Sequence, residues 1–247
     1  MRYTFGNVVT SVIYRAGLMA VAAILSTAVL AEPSLTPHTA EYKVKISILG
    51  GQLITELRTT EHGYIATHVI KATGMSKLLA RGSISESSEF VTAPDGVRPT
   101  HFISEDTLSR KKTRTVISFD WDTGEARGTV NGEDVLSIMD ELAHDRVSIQ
   151  YELMHDLLNG GLSKQYILFD VDKLKIINVR SIGRRQVTVP AGQFDAVGIE
   201  HQAVNSKRIT TFWCVEELGY LPVIIEQHRK GKLRVRAVLK KYSPIQG

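Results

Sequence analysis

Polar and apolar residues alternate along most of this chain, the pattern of strands with one wet face and one buried face. The run Glu41-Tyr42-Lys43-Val44-Lys45-Ile46-Ser47-Ile48 shows it first, and Leu49-Gly50-Gly51-Gln52 then turns the chain. Strands are expected over 53–60 and 64–73, joined by Glu61-His62-Gly63, so the chain opens as a meander of antiparallel hairpins. The pattern resumes over 83–91, 97–105, 113–121 and 125–130, with Ala93-Pro94-Asp95-Gly96, Asp122-Thr123-Gly124 and Asn131-Gly132 as turn signals. Further strands are expected at 165–169, 173–181, 186–189, 194–203, 208–215, 221–227 and 232–241. In the last, Leu233, Val235, Ala237 and Leu239 alternate with Arg234, Arg236 and Lys240, giving one face a row of cations.

Two segments break the alternation. Gly74 to Gly82, with Met75, Leu78 and Leu79 between bracketing glycines, predicts a short helix or flap. Near mid-chain, Val147, Tyr151, Met154 and Leu158 recur at helical spacing, Asp145 is placed to cap the helix, and Asn159-Gly160-Gly161 ends it. Ile149, Leu153 and Leu157 add a second apolar line, so the buried face is wide and suits packing inside or across a curved sheet. The fold class is therefore mainly β: a highly curved antiparallel sheet, barrel or half-barrel of about a dozen strands, with one main helix packed in or across it. Charged faces on many strands argue against a transmembrane barrel, whose exterior needs an apolar band.

The start of the chain carries a different signal. Arg2 and Arg15 precede an apolar run from Ala16 to Val29, and Val29-Leu30-Ala31 suits signal peptidase. Residues 1–31 are read as a cleavable signal peptide and 32–247 as one β domain, with Glu32 the mature N-terminus and the periplasm the destination. Losing Arg2 and Arg15 lowers the already modest formal charge of +4, which gives little reason to expect nucleic acid. Cys214 is the only cysteine, so no intramolecular disulfide can form, and its place beside Phe212 and Trp213 predicts a buried, inert thiol.

Motifs for covalent or nucleotide chemistry are sparse. Ser109-Arg110-Lys111-Lys112 matches the S-x-x-K pattern, but it falls in a polar hairpin connection without the companion motifs of a serine acyl-enzyme. Neither a nucleophile elbow, a P-loop, a dinucleotide fingerprint nor a zincin motif occurs. Asp140, Glu141, His144 and Asp145 form the densest metal-capable group, but acids are also favoured at a helix N-terminus, and Asp145 suits the cap. Glu216-Glu217 reads as a solvated turn.

The segment Val187-Thr188-Val189-Pro190-Ala191-Gly192-Gln193-Phe194-Asp195-Ala196-Val197, followed by Thr211-Phe212-Trp213-Cys214-Val215 and Leu221-Pro222-Val223, resembles the DUF3108 family of exported bacterial proteins. Asp145-Arg146-Val147-Ser148 with Tyr151 and Leu153 resembles it too. The resemblance spans roughly Thr39 to Tyr242 and implies an exported domain without a mechanism, because the family's function is unknown. At the level of fold, the plan is also similar to the half-barrels of periplasmic lipoprotein carriers and outer-membrane lipoprotein receptors, an analogy that transfers no binding residue.

The favoured functional reading is a non-enzymatic periplasmic binding or envelope-assembly protein that holds a lipid or other apolar ligand in the curved sheet, beneath the helix or the flap. Tyr151, Met154, Trp121, Trp213 and Leu78 are its ligand-binding candidates. Arg229, Lys230, Lys232, Arg234 and Arg236 are candidates for contact with an anionic surface, or alternatively a solvated face that protects the sheet from aggregation. The alternatives are a structural or protein-interaction module with a filled core, and an envelope hydrolase built on Asp140 to Asp145. No catalytic residue, metal ligand or cofactor is assigned. The expected partners are a lipid, an envelope protein or an anionic membrane surface.

Overall fold

A computed structural model describes residues 34–109, 111–170 and 173–245. The expected leader, its cleavage point after Ala31, and Arg110 of the S-x-x-K match lie outside the described residues.

The first half of the chain is a run of hairpins: β1 (His38–Ile46), β2 (Leu49–Thr60), β3 (Gly63–Ala72), β4 (Ser83–Ala93), β5 (Gly96–Asp106), β6 (Thr113–Asp120), β7 (Glu125–Val130) and β8 (Glu133–Ile138). The second half repeats the pattern with β9 (Ala143–His144), β10 (Gln165–Asp170), β11 (Lys173–Val189), β12 (Gly192–Ala203), β13 (Arg208–Val215), β14 (Leu221–Arg229) and β15 (Lys232–Pro244). Turn chemistry sets the registers. Asn131 and Gly132 take φ values of 54° and 86°, the paired left-handed conformations of the turn that their sequence predicts.

Among the described residues, all fifteen strands belong to one curved sheet in the order β8-β7-β6-β5-β4-β3-β2-β1-β15-β14-β13-β12-β11-β10-β9. That order is linear, so β8 and β9 are its ends and the sheet is not closed. Every pairing is antiparallel except the short parallel ladder of β9 with β10. β1 and β15 pair at mid-sheet, with His38 opposite Pro244 and Ile46 opposite Val235. The segment between the two fans of hairpins carries β9 and the main helix α2 (Ser148–Leu158), while α1 (Ser76–Leu79) lies in the predicted flap.

The expected strand count changes for physical reasons. β8 has exposed Glu133, Asp134, Leu136 and Ile138, so neither face gives a clean buried register, and β9 is too short to display a period. The strands expected at 173–181 and 186–189 are one, because a bulge between Ser181 and Gly183, with Gly183 at φ 94°, lets β11 continue along β12.

The expected helix forms over Ser148–Leu158, and Asp145 bonds to the chain entering it. Asp145 Oδ1 accepts the backbone N–H groups of Val147 at 2.7 Å and Ser148 at 2.9 Å, while Ser148 Oγ accepts the N–H of Asp145 at 2.9 Å. These bonds satisfy donors that a helix start leaves free. α2 packs against β4, β5 and β9. Its wide apolar face joins two buried clusters: Tyr151 and Met154 pack with Tyr42, Phe90 and Phe102, whereas Leu153 packs with Tyr166, Ile177, Val179, Ile199 and Cys214. Each such large side chain contributes about 1.5–3 kcal/mol when taken out of water. Among the described residues, no helix is long and apolar enough to cross a membrane.

Candidate functional site

Of the five residues proposed from sequence to line an apolar site, Tyr151, Met154 and Trp213 are buried in one hydrophobic core, Trp121 packs against it, and Leu78 stands apart. Tyr151 is fully buried, its ring 5.3 Å from that of Phe90, and Met154 is closed into the same core. Trp121 donates its indole N–H to Pro99 O at 2.7 Å and carries the Arg98 guanidinium 5.7 Å above its ring. Trp213 lies between Gly198, where a Cβ would come within 2.8 Å of the indole, and Arg185, whose guanidinium sits 3.7 Å from the ring centre. Leu78 is on α1 with its side chain in solvent. The space beneath the helix is therefore packed, because the wide apolar face that suggested a ligand site fills it. Cys214 is buried, and burial pushes its thiol pKa upward, as an inert core cysteine requires.

The Asp140 to Asp145 group divides between environments. Asp145 turns inward, where its Oδ2 accepts Ser88 Oγ at 2.6 Å and Ser148 Oγ at 2.9 Å. Glu141 and His144 line a cleft of about 320 Å³ with Asp95, Glu152 and Tyr166, while Asp140 faces a neighbouring hollow with Ile138 and Ile176. The proposed hydrolase site thus loses two of its four side chains.

Within the 320 Å³ cleft the acid that matters is Glu152. Its Oε2 accepts the Val97 N–H at 2.6 Å, and its Oε1 lies 3.9 Å from His144 Nε2. Gly96 makes this approach possible, since a Cβ there would sit 2.6 Å from Oε1 and 2.7 Å from Oε2. Burial raises Glu152 to about 8, helped by the nearby charges of Asp156 and Asp95, and burial lowers His144 to about 3. Both groups are consequently neutral near pH 7, and the carboxyl ties α2 to the start of β5. Glu152, His155 and Asp156 have potential ligand atoms within 4.8 Å of one another. Two of these are already engaged in the fold, because Asp156 Oδ2 accepts the Tyr166 hydroxyl at 2.5 Å and Glu152 holds Val97.

A larger cavity, about 760 Å³, opens on the other side of the helix start. Strands β10 to β14 supply most of its wall, and the β12–β13 turn from Val204 to Lys207 and Arg146, just before α2, supply the rest. Leu168, Ile177, Ala203 and Val204 give it an apolar strip, and Arg146, Lys175, Lys207, Arg208 and Arg229 make it basic. Lys175 pairs with Asp170. Arg146 Nη2 lies 2.7 Å from Glu86 Oε1 and 2.8 Å from Ser104 Oγ, with the guanidinium 5.7 Å over the Phe102 ring. Lys207, Arg208 and Arg229 have no ion-pair partner among the described residues. Moreover, Arg208 and Arg229 are directly opposed in the β13–β14 ladder. His201, also in the wall, stacks on Phe212 with ring centres 5.3 Å apart, and burial lowers it to about 4.

The register that joins Arg208 to Arg229 is invisible in one sequence, and so is the reach of Arg146 to Glu86 and Ser104. Of the cations proposed for an anionic surface, only Arg229 enters the cavity; Lys230, Lys232 and Arg234 are exposed near the β14–β15 turn. Arg236 is 3.4 Å from Glu226 on the neighbouring strand, so an acid-free stretch of sequence is not acid-free in space.

The domain is similar in structure to a β-barrel-like protein of DUF1849 from Brucella abortus, at 15% identity with a TM-score of 0.55, covering 86% of this chain and 99% of that one. A protein with a YmcC-like fold from Bacteroides fragilis is also similar, at 12% identity with a TM-score of 0.33, covering 85% of this chain and 97% of that one. The first likeness concerns the fold alone, and the second is too distant to carry an argument. No curated protein matches the sequence. The description "Protein of unknown function (DUF3108)" matches residues 39–236, a span that takes in α2 and the basic wall from β10 to β14, and the chain belongs to that family.

Proposed function

We propose that this protein is a non-enzymatic binding protein of the bacterial envelope, exported by its leader, that holds an anionic amphiphile in the 760 Å³ cavity. The observation that carries this reading is the opposed pair Arg208 and Arg229. Like charges facing each other across a ladder destabilise a sheet, and an anion between them relieves the repulsion. The volume suits a small ligand. The strip formed by Leu168, Ile177, Ala203 and Val204 gives an attached hydrocarbon a surface to cover. The apolar ligand expected from sequence is thereby moved from beneath the helix to the basic cavity, and it acquires a charged head. The packed space beneath α2 favours a second reading, a protein-interaction module.

Calorimetric titration with dodecyl phosphate below its micelle concentration tests the first reading. Binding should weaken with salt, exceed that of inorganic phosphate alone, and fall by about tenfold or more in the R208E/R229E variant. Absence of binding by the wild-type protein, or equal affinity in the variant, would overturn the reading and leave the interaction module standing.

A further inference from the structure

The flap helix is turned inside out. In α1 the buried residue is Ser76, whose Oγ accepts the Gly50 N–H at 2.8 Å, whereas Leu78 and Leu79 are 68% and 77% exposed and the preceding Met75 is 78% exposed. A surface helix ordinarily buries its apolar side chains and shows its polar ones to water. Beside it, at the β1–β2 turn, Ile48 is 88% exposed.

Backbone hydrogen bonds tie these apolar tips to one rim of the sheet. Thr73 N donates to Gly50 O at 3.0 Å, which joins the flap to β2, and Ser47 N donates to Arg234 O at 3.1 Å, which joins the β1–β2 turn to β15. The rim is also cationic. Segments 45–51, 72–83 and 230–235, which supply it, contain no aspartate or glutamate. Lys77, Arg81, Lys230, Lys232 and Arg234 are all exposed around the tips.

We propose that this rim docks on an anionic lipid bilayer, with Ile48, Met75, Leu78 and Leu79 entering the headgroup boundary and the surrounding cations meeting lipid phosphates. Exposed apolar patches of this kind mark interaction surfaces. A ring of cations around apolar tips is complementary to an anionic interface and to no neutral one, since apolar burial and charge attraction act together there. The inference goes beyond the cavity reading and does not depend on it: it uses neither Arg208 nor Arg229. The two are neighbours nevertheless, because Lys230 N donates to Lys207 O at 3.1 Å and so places the rim beside the cavity mouth.

Vesicle flotation tests the proposal, using protein purified from cells in its naturally processed form. Vesicles of phosphatidylethanolamine with phosphatidylglycerol should carry the protein, and phosphatidylcholine vesicles should not. L78D/L79D should lower partitioning about tenfold or more without changing the thermal unfolding temperature, because both side chains are already in water. K230E/K232E should lower it and weaken its salt dependence. R208Q/R229Q, which puts no acid beside the rim, should leave flotation largely intact while abolishing dodecyl phosphate binding, which separates failure of the rim from failure of the cavity. Equal binding to neutral vesicles, or flotation unchanged in L78D/L79D, would overturn the proposal. So would an absence of flotation, and with it a self-association broken by L78D/L79D would assign the rim to a second copy of the chain.

Discussion

Glu152 provides a test of the packed end of the domain. The side chain is buried, accepts one backbone N–H from Val97, and sits near two other acids, Asp95 and Asp156, so its carboxyl is raised from 4.5 to about 8. The folded protein therefore keeps a proton that the unfolded chain releases. The associated stability is fully present below pH 4.5 and is lost as pH rises through about 8. The buried histidines act in a different window: His144 is lowered to about 3 and His68 and His201 to about 4, so their neutral forms lend stability above pH 6.5 that is lost on acidification. Because these histidines are still half protonated in the unfolded chain at pH 6.5, the Glu152 contribution from pH 6.5 to about 8 is isolated by comparing the wild type with a variant that lacks the carboxyl. At about 1.4 kcal/mol per pH unit, it amounts to a loss of about 2 kcal/mol across that interval. Glu152→Gln has no proton to lose, and its amide oxygen can still accept the Val97 N–H. Urea unfolding followed by tryptophan fluorescence should show the variant gaining about 2 kcal/mol on the wild type over the interval. Parallel stability curves would refute the reasoning, because they would mean that the native carboxyl ionises as it does in the unfolded chain.

Two further perturbations bear on the same region. Asp145→Ala leaves Ser88 Oγ and the N–H groups of Val147 and Ser148 without their acceptor, and should lower stability by about 2–4 kcal/mol in chemical denaturation, with partial recovery in Asp145→Asn and no more than about 0.5 kcal/mol for exposed Asp140→Ala. Gly96→Ala drives a Cβ to 2.6 Å from Glu152 Oε1 at a φ of 131°, which should lower stability by about 2 kcal/mol or more; a double-mutant cycle with Glu152→Ala should recover the part due to the carboxylate.

What could be read from the sequence follows the range of the interactions involved. Hairpins and α2 were legible because their determinants are local: alternation, Asn131-Gly132, and the cap at Asp145 lie within a few residues of what they specify. The basic cavity was not, because Arg146 meets Glu86 across the fold and Arg208 meets Arg229 only through the β13–β14 register. Arg236 illustrates the converse, since Glu226 answers it from the next strand although the sequence around Arg236 lacks acids. The flap was legible as an interruption, but the side chain it buries was not: three apolar residues around one serine give no reason to expect that the serine is the anchor. Tyr151 and Met154 show why periodicity could not identify a ligand site, for an apolar stripe that packs the core and one that lines a cavity have the same spacing.

The two ends of the concave interior differ in how they handle charge, and the difference would fix the orientation of any amphiphile within it. Near α2, burial keeps Glu152 protonated and His68 and His144 neutral, so an anion placed there would find no cation and would lose its hydration. At the mouth, Lys207, Arg208 and Arg229 are exposed. Arg146 lies between these regimes, paired to Glu86 and resting over Phe102, with its own charge partly spent within the fold. An anionic head would therefore stay among the outer cations while its hydrocarbon covers Leu168 and Ile177. Ile177 packs in turn with Leu153 of α2, so the filled helix end would bound that hydrocarbon as a stop rather than hold it as a site.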